Sequence, residues 1–389
     1  MFDIPPGLSR NWSWPTDIRF GAGRLAELPD IVAGLGARNP LFVTDAGLAR
    51  LPLAARALAV LEGAGLAHGA FTDIQPNPTG AQVSAGVEAF RAGGHDAVIA
   101  FGGGSGLDAA KAIALMVHQS RPIWDFEDVG DNWTRVDTSA RVPVVALPTT
   151  AGTGSELGRS SVITDTARHR KMIIFHPIML PHVAVLDPEL TLDLPPALTA
   201  STGMDALCHA LETWITPNFH PMADGLALQA LRMIRTALPR AFADGQDLGA
   251  RAQMLVASGM ACVALQKGLG AVHALSHALG AVHDAPHGLL NAILLPHVIG
   301  FNRAAAEPRL TELAGLLDLP ERSGAGVVAW LAGLRDTLGI PETLAPLGID
   351  RSRLEETVNL ALADPCAAAN PVPLTRDTVA ALLRAVIPG

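Results

Sequence analysis

The sequence predicts two domains of different class: an α/β domain with a mostly parallel sheet over residues 1–190, and an all-helical domain over 191–389. Three observations carry this prediction. A chain of 389 residues is longer than the roughly 250 to 300 residues at which single hydrophobic cores stop growing. In the first half, short apolar runs alternate with Ala/Leu-rich helical stretches, the rhythm of helices layered on a parallel sheet. From about Pro195 the strand signals stop, and only helical patterns separated by Gly and Pro remain.

The runs LFVT at 41–44, AVIAF at 97–101, VPVVAL at 142–147 and VAVLD at 183–187 are the predicted buried strands. The segment LDPELTLDLPPALTAST then marks the boundary, because Pro188, Pro195 and Pro196 stop any helix entering it while its acidic and Thr residues supply caps. Beyond it, MADGLALQALRMIRTAL and RDTVAALLRAVI have helical periodicity. No internal repeat and no low-complexity tract beyond general alanine richness is visible.

Bulk chemistry narrows the function. The net charge of -9, with no Lys/Arg run, argues against a nucleic-acid partner, whose binding needs clustered cations. The opening MFDIPPGLSRNWSWP lacks the basic and apolar regions of a secretory leader. The most apolar stretch, Leu289 to Phe301, is too short to span a bilayer, and Pro296 and His297 within it suit the end of a buried helix. Three cysteines without CxxC spacing suggest neither disulfides nor a zinc ribbon, which fits a reducing cytoplasm. The expected partner is a small molecule.

Two motif groups carry chemistry. In GMDALCHALETWI, Asp205 and His209 are four residues apart and share one helix face, so two ligands can converge. Further on, His273, His277, His283, His287 and His297 fall within 25 positions, five of the chain's 13 histidines. A lone histidine on an apolar helix is more often a packed core residue, but this density points to a metal. One carboxylate with several imidazoles suits iron or zinc, whereas calcium or magnesium would want more oxygen donors. Spacing alone does not choose among the five histidines.

The run AVIAFGGGSGLDAAKAIALMV reads as a strand, a glycine turn at 102–104, Ser105 and a helix whose first amides would face a phosphate. A second turn, LPTTAGTGSE, offers Thr149, Thr150, Thr153 and Ser155 to the same crevice at the carboxyl ends of the strands. Asp45, at the tip of LFVTD, either accepts the ribose hydroxyls of NAD while repelling the 2′-phosphate of NADP, or caps the helix that follows. Gly21, Gly23 and Ala26 match a GxGxxA pattern, but the run before them is short and polar, which makes them mainly a turn.

Together these residues resemble the iron-containing (group III) alcohol dehydrogenases, the family that includes lactaldehyde reductase and 1,3-propanediol dehydrogenase. The resemblance runs nearly end to end, through VTD, IQPNPT, FGGGSGLDAAKAI, LPTTAGTGSE, VITD with RKM, GMDALCHALE, the histidine segment and ALADPCAAANP. It implies a dehydroquinate synthase-like architecture and a homodimer or larger homo-oligomer. It also implies Fe(II), with zinc as the alternative, held by Asp205, His209, His273 and His287. Asp45, Asn77, Gly103, Gly104, Ser105, Asp108, Thr149, Thr150, Thr153 and Lys171 look like the family's dinucleotide contacts.

The implied reaction is hydride transfer between a small alcohol and NAD(H), with the metal as Lewis acid. His277, one turn after His273, is the expected proton relay. Where many relatives carry an aromatic pair, this chain has Val282 and His283. From that departure His283, with Arg159 or Lys267, is expected to reach the pocket and favour a polar or anionic substrate. The rival readings are a sugar-phosphate cyclase or lyase of the dehydroquinate synthase type, disfavoured by the presence of only three lysines, and a non-catalytic metal- or nucleotide-binding protein.

Overall fold

The computed structural model describes residues 10–13, 16–168 and 170–388. Most of the opening stretch judged to carry no leader, residues 1–9 and 14–15, lies outside the described residues. The chain forms two compact units. Of the described residues, one unit holds those from Arg10 to Thr150 together with Gly154–Asp193; the other holds Ala151–Thr153 and residues 194–388.

Among the described residues the first unit is built on nine strands: β1 Arg10–Ser13, β2 Asp17–Phe20, β3 Pro40–Asp45, β4 Gly69–Ile74, β5 Ala97–Gly102, β6 Val144–Pro148, β7 Ser160–Asp165, β8 Arg170–Phe175 and β9 Val183–Leu186. Seven form one sheet in the order β1-β2-β9-β6-β5-β3-β4. All its pairings are parallel except β1 with β2. Helices α1 Leu28–Gly34, α2 Pro52–Gly63, α3 Gly80–Ala92 and α4 Gly104–Met116 cover its two faces. The strict alternation of a pleated strand explains the layering. Leu41, Val43, Val98 and Ala100 pack toward α3 and α4. Phe42, Ile99 and Phe101 pack toward α1 and α2.

All four expected strands are present. The sequence reading missed β1, β2 and β4, and also the antiparallel hairpin β7–β8. In β4 the run GAFTDI is half polar and partly exposed at the sheet edge, so it lacks the continuous apolar signal of the central strands. The turn after β2 is a turn, as expected: Asp187 Oδ1 accepts Gly23 N–H at 3.2 Å and Asp187 Oδ2 accepts Leu25 N–H at 2.9 Å. The chain's own carboxylate thus takes the amides that a dinucleotide fingerprint would offer.

In the second unit every described element is helical: α5 Pro196–Ile215, α6 Pro221–Ala243, α7 Leu248–Ala264, α8 Ala271–His283, α9 His287–Leu316, α10 Gly324–Thr337, α11 Leu354–Ala363 and α12 Arg376–Val386, with short 3-10 turns. Pro196 at the first position of α5 is where a helix tolerates proline best. One difference from expectation lies in α9, which continues through both Pro296 and Pro308 for 30 residues. Packing of its apolar surface outweighs the lost hydrogen bonds. Residues 248–267 and 287–316 are long and apolar enough to cross a membrane, but most of each is buried inside the unit, as core helices are.

Candidate active site

Helix α5 brings Asp205, His209 and Glu212 onto one face at spacings of four and three. Helix α8 adds His273 and His277, and α9 opens on His287. The turn between those two helices is made by Asp284, whose φ of 51° ends α8 in the left-handed region, and by Pro286, which precedes His287. Asp205 Oδ1 lies 3.8 Å from His209 Nε2, 3.8 Å from His273 Nε2 and 3.5 Å from His287 Nε2. Tetrahedral ligands about 2.1 Å from a transition ion are about 3.4 Å apart. The ligand atoms of Asp205, His273 and His287 lie within 4.8 Å of one another, and His209 adds Nε2 3.8 Å from Asp205 Oδ1, while Asn291 Nδ2 donates to the lone pairs an ion would take. Burial, then the neighbouring His209, holds the His273 pKa well below its ordinary value, which keeps the lone pair a ligand needs. Asp205, His209 and His273 are buried, whereas the His287 side chain is 26% exposed and marks the accessible side.

Two residues that sequence reasoning missed hold these ligands in place. Glu212 Oε2 accepts His273 Nδ1–H at 2.6 Å, which leaves Nε2 as the coordinating nitrogen, and Glu212 Oε1 accepts Val272 N–H at 2.7 Å. Burial pushes the Glu212 pKa up to about 7, against the pull of the Val272, Gly270 and His273 amides. A Cβ on Gly270 would stand 2.8 Å from Glu212 Oε1, so only glycine allows this close approach. Asn291, one turn after His287, places Nδ2 2.7 Å from Asp205 Oδ1 and 3.1 Å from His287 Nε2. Both were findable, since Glu212 and Asn291 repeat the helical spacing from known candidates.

His277 lies beside this set, its ring stacked at 5.3 Å on His287 and edge-on at 5.8 Å to His273. His283 does not join it. Ten residues along α8 from His273 is about 15 Å of helix axis, and His283 stands there among Arg353, Asp350 and Glu356. Lys267, 2% exposed, pairs with Asp224 and donates to Trp214 O at 3.3 Å. Arg159 lies over the Phe175 ring at 5.5 Å, near Asp128. Lys267 and His283 thus have partners within the helical unit away from the Asp205 cluster, and Arg159 packs on Phe175 within the sheet unit.

In the sheet unit, Asp45 ends β3, Gly102 ends β5 and Pro148 ends β6. The strand order reverses between β3 and β5, the position where open parallel sheets bind ligands. A Cβ on Gly103 would meet Thr150 Cγ2 at 3.2 Å, and Thr149 N–H donates to Gly102 O at 2.9 Å, so the two turns are in contact. Ser105 follows Gly104 in the first turn of α4. Asp45 Oδ1 accepts Leu48 N–H at 2.8 Å, which realises the capping reading. Lys171 Nζ donates to Asn77 Oδ1 at 2.8 Å, joining the hairpin to the loop after β4. Thr153 belongs to the helical unit, where the neighbouring Gly152 rests on Thr202.

Asp108 has partners of its own. One oxygen accepts Ser155 Oγ–H, the other accepts Val162 N–H at 2.8 Å, and Lys111 Nζ stands 3.4 Å away. It fastens the threonine turn and the hairpin to α4.

Beside Lys111 lies Glu156, fully buried, its pKa raised from 4.5 to about 7 by burial, which outweighs its own backbone amide and Lys111. Between those pH values the folded chain binds a proton that the unfolded chain releases. Stability from this group therefore falls as pH rises through the window, by about 3 kcal/mol in all. Glu156→Gln is expected to melt above wild type at pH 8, with the gap closing by pH 4.5, as thermal unfolding at the two pH values would register.

The helical unit thus brings three imidazoles and one carboxylate together in an arrangement able to take a transition ion, and the sheet unit places two glycine- and threonine-bearing turns at the carboxyl ends of its parallel strands. Comparison with known proteins agrees. Residues 15–188 match the iron-containing alcohol dehydrogenase family, and residues 199–387 match the C-terminal part of the Fe-containing alcohol dehydrogenase family. The chain is 37% identical to the NAD-dependent methanol dehydrogenase of Bacillus methanolicus over 96% of its own length and 99% of the relative's. It is equally identical to the 4-hydroxybutyrate dehydrogenase of Cupriavidus necator over 92% and 94%. The crystal structure of a 1,3-propanediol oxidoreductase superposes with a TM-score of 0.89 at 34% identity, covering 95% of this chain and 97% of the other. The chain belongs to the iron-containing alcohol dehydrogenase family, and it is an oxidoreductase acting on alcohols and aldehydes.

Proposed function

We propose that this chain transfers hydride between a small alcohol or aldehyde and NAD(H), with iron held by Asp205, His209, His273 and His287. The observation that carries the reading is the convergence of three imidazole Nε2 atoms on one carboxylate oxygen at 3.5 to 3.8 Å. Iron there supplies Lewis acidity to the substrate oxygen, and zinc could fill the same role. The first amides of α4 and the Thr149–Thr150 turn serve the pyrophosphate, Asp45 the ribose, and the Lys171–Asn77 pair the rim of that cradle. A carboxylate at the tip of β3 repels a 2′-phosphate, which favours NAD over NADP.

Oxidation removes a hydride from the carbinol carbon and a proton from the hydroxyl. NAD, when bound, would accept the hydride, and His277 Nε2 would take the proton and pass it to solvent. With Lys267, His283 and Arg159 engaged elsewhere, no preference for anionic substrates is expected. Similar kcat/KM values for a neutral aldehyde and a carboxylate-bearing one would bear this out. We further infer a cytoplasmic homodimer or larger homo-oligomer, measurable by light scattering; Cys208, Cys262 and Cys366, which form no disulfide among the described residues, suit a reducing compartment.

One assay tests the core of the reading. Iron-loaded protein with an aldehyde panel should consume NADH absorbance stoichiometrically with alcohol formed. Turnover of a sugar-phosphate substrate at constant NADH absorbance would instead favour the cyclase or lyase alternative.

A further inference from the structure

The motif ALADPCAAANP falls far from the ligands in sequence, and the site as described gives it no task. In the helical unit its Asp364 reaches back 87 positions to His277: the carboxylate Oδ2 stands 2.9 Å from His277 Nδ1. The other oxygen, Oδ1, accepts Cys366 N–H at 2.9 Å at the start of the 3-10 turn Pro365–Ala369. Both side chains are nearly buried, 11% and 13% exposed.

We propose that Asp364 is the positioning residue of the proton relay: it fixes His277 as the Nδ1–H tautomer and turns the bare Nε2 toward the substrate. The proposal rests on His277 being the relay. The chemistry follows from donor and acceptor counting. An ionised carboxylate only accepts, and Asp364 accepts from the backbone N–H and the thiol of Cys366 and from imidazole Nδ1–H. The imidazole proton is thereby held on Nδ1, and the only lone pair left to take a hydroxyl proton is on Nε2. When that proton arrives, the imidazolium stands against a carboxylate already in place, so no group has to reorganise. The ring cannot turn away, because it is stacked on His287 and hydrogen-bonded at its opposite edge.

An amide cannot reproduce this. Asparagine at 364 has one acceptor oxygen where the carboxylate has two for Cys366 N–H, the Cys366 thiol and imidazole Nδ1–H. If that oxygen keeps Cys366 N–H, the amide nitrogen faces Nδ1 and drives the imidazole proton onto Nε2, the wrong tautomer for a base. If it keeps the imidazole, Cys366 N–H meets an N–H donor.

The test is a double-mutant cycle of Asp364→Asn and His277→Ala on iron-loaded protein, with kcat, KM, iron per chain and melting temperature measured for each. His277→Ala should lower kcat about a hundredfold and Asp364→Asn about tenfold or more. KM and iron content should hold, and the double variant should be no slower than His277→Ala. Asp364→Glu, which restores a carboxylate, should recover part of the loss.

Multiplicative losses in the double variant would show that Asp364 acts apart from His277 and would overturn the proposal while leaving the relay intact. A His277→Ala protein as fast as wild type would sink the relay and the proposal together. Because Cys366 offers Sγ to the same cluster, within 4.8 Å of the other two ligand atoms, a second metal equivalent lost on Asp364→Asn would also overturn it, in favour of a second ion site.

Discussion

His273→Ala protein, purified without added metal, is expected to retain no iron and to turn over at least about a thousandfold more slowly than wild type. Two losses combine. The ligand set drops from four to three, and Glu212 loses the imidazole that it orients, leaving a buried carboxylate with only backbone donors. Several kcal/mol of charge stabilisation in the transition state go with the ion, and each 1.4 kcal/mol is a factor of ten. Elemental analysis of the purified variant checks the metal, and steady-state kinetics check the rate. Stoichiometric iron in His273→Ala would mean that the ion is held elsewhere.

The second large effect concerns a residue that touches no ion. Glu212→Leu is expected to weaken iron binding by about 10- to 100-fold, read by competition with a chelator. Leucine frees the His273 ring to rotate and to carry its proton on either nitrogen, so part of the population presents N–H where a lone pair is needed. It also removes the acceptor for Val272 N–H at the start of α8, loosening the turn that carries the ligand. Glu212→Gln keeps one acceptor oxygen for the two donors and should fall between. Unchanged affinity in Glu212→Leu would show that α8 alone fixes the ring.

Much of this was legible in the chain. The central strands are continuous apolar runs and the ligand pair on α5 follows helical spacing, so local pattern sufficed for both. The edge strands and the hairpin were not legible, because a half-exposed strand has no periodicity that sets it apart from a loop. The choice of His273 and His287 came from resemblance, and the geometry supplies the physical reason: they are the two histidines whose Nε2 atoms reach Asp205 Oδ1. His283 was singled out by its departure from the aromatic pair of relatives, and it stands ten helical residues from His273 at the far end of α8. Asp364 was beyond reach, since nothing local ties position 364 to position 277. Asp108 was assigned as a contact by resemblance, while its bonds to Ser155 and Val162 appear only once the hairpin is folded.

The brace at the start of α8 bears on how the protein is made. Asn370 Oδ1 accepts the amide of Ala271, and its own amide nitrogen donates to Asn302 Oδ1 and to Val372 O. Every metal ligand leaves the ribosome before this residue does. A nascent chain can therefore display Asp205, His209, His273 and His287 before the brace that fastens the start of α8 has been made. A stop codon between His287 and Asn370 would leave a product with its full set of ligands and no rigid seat for the ion.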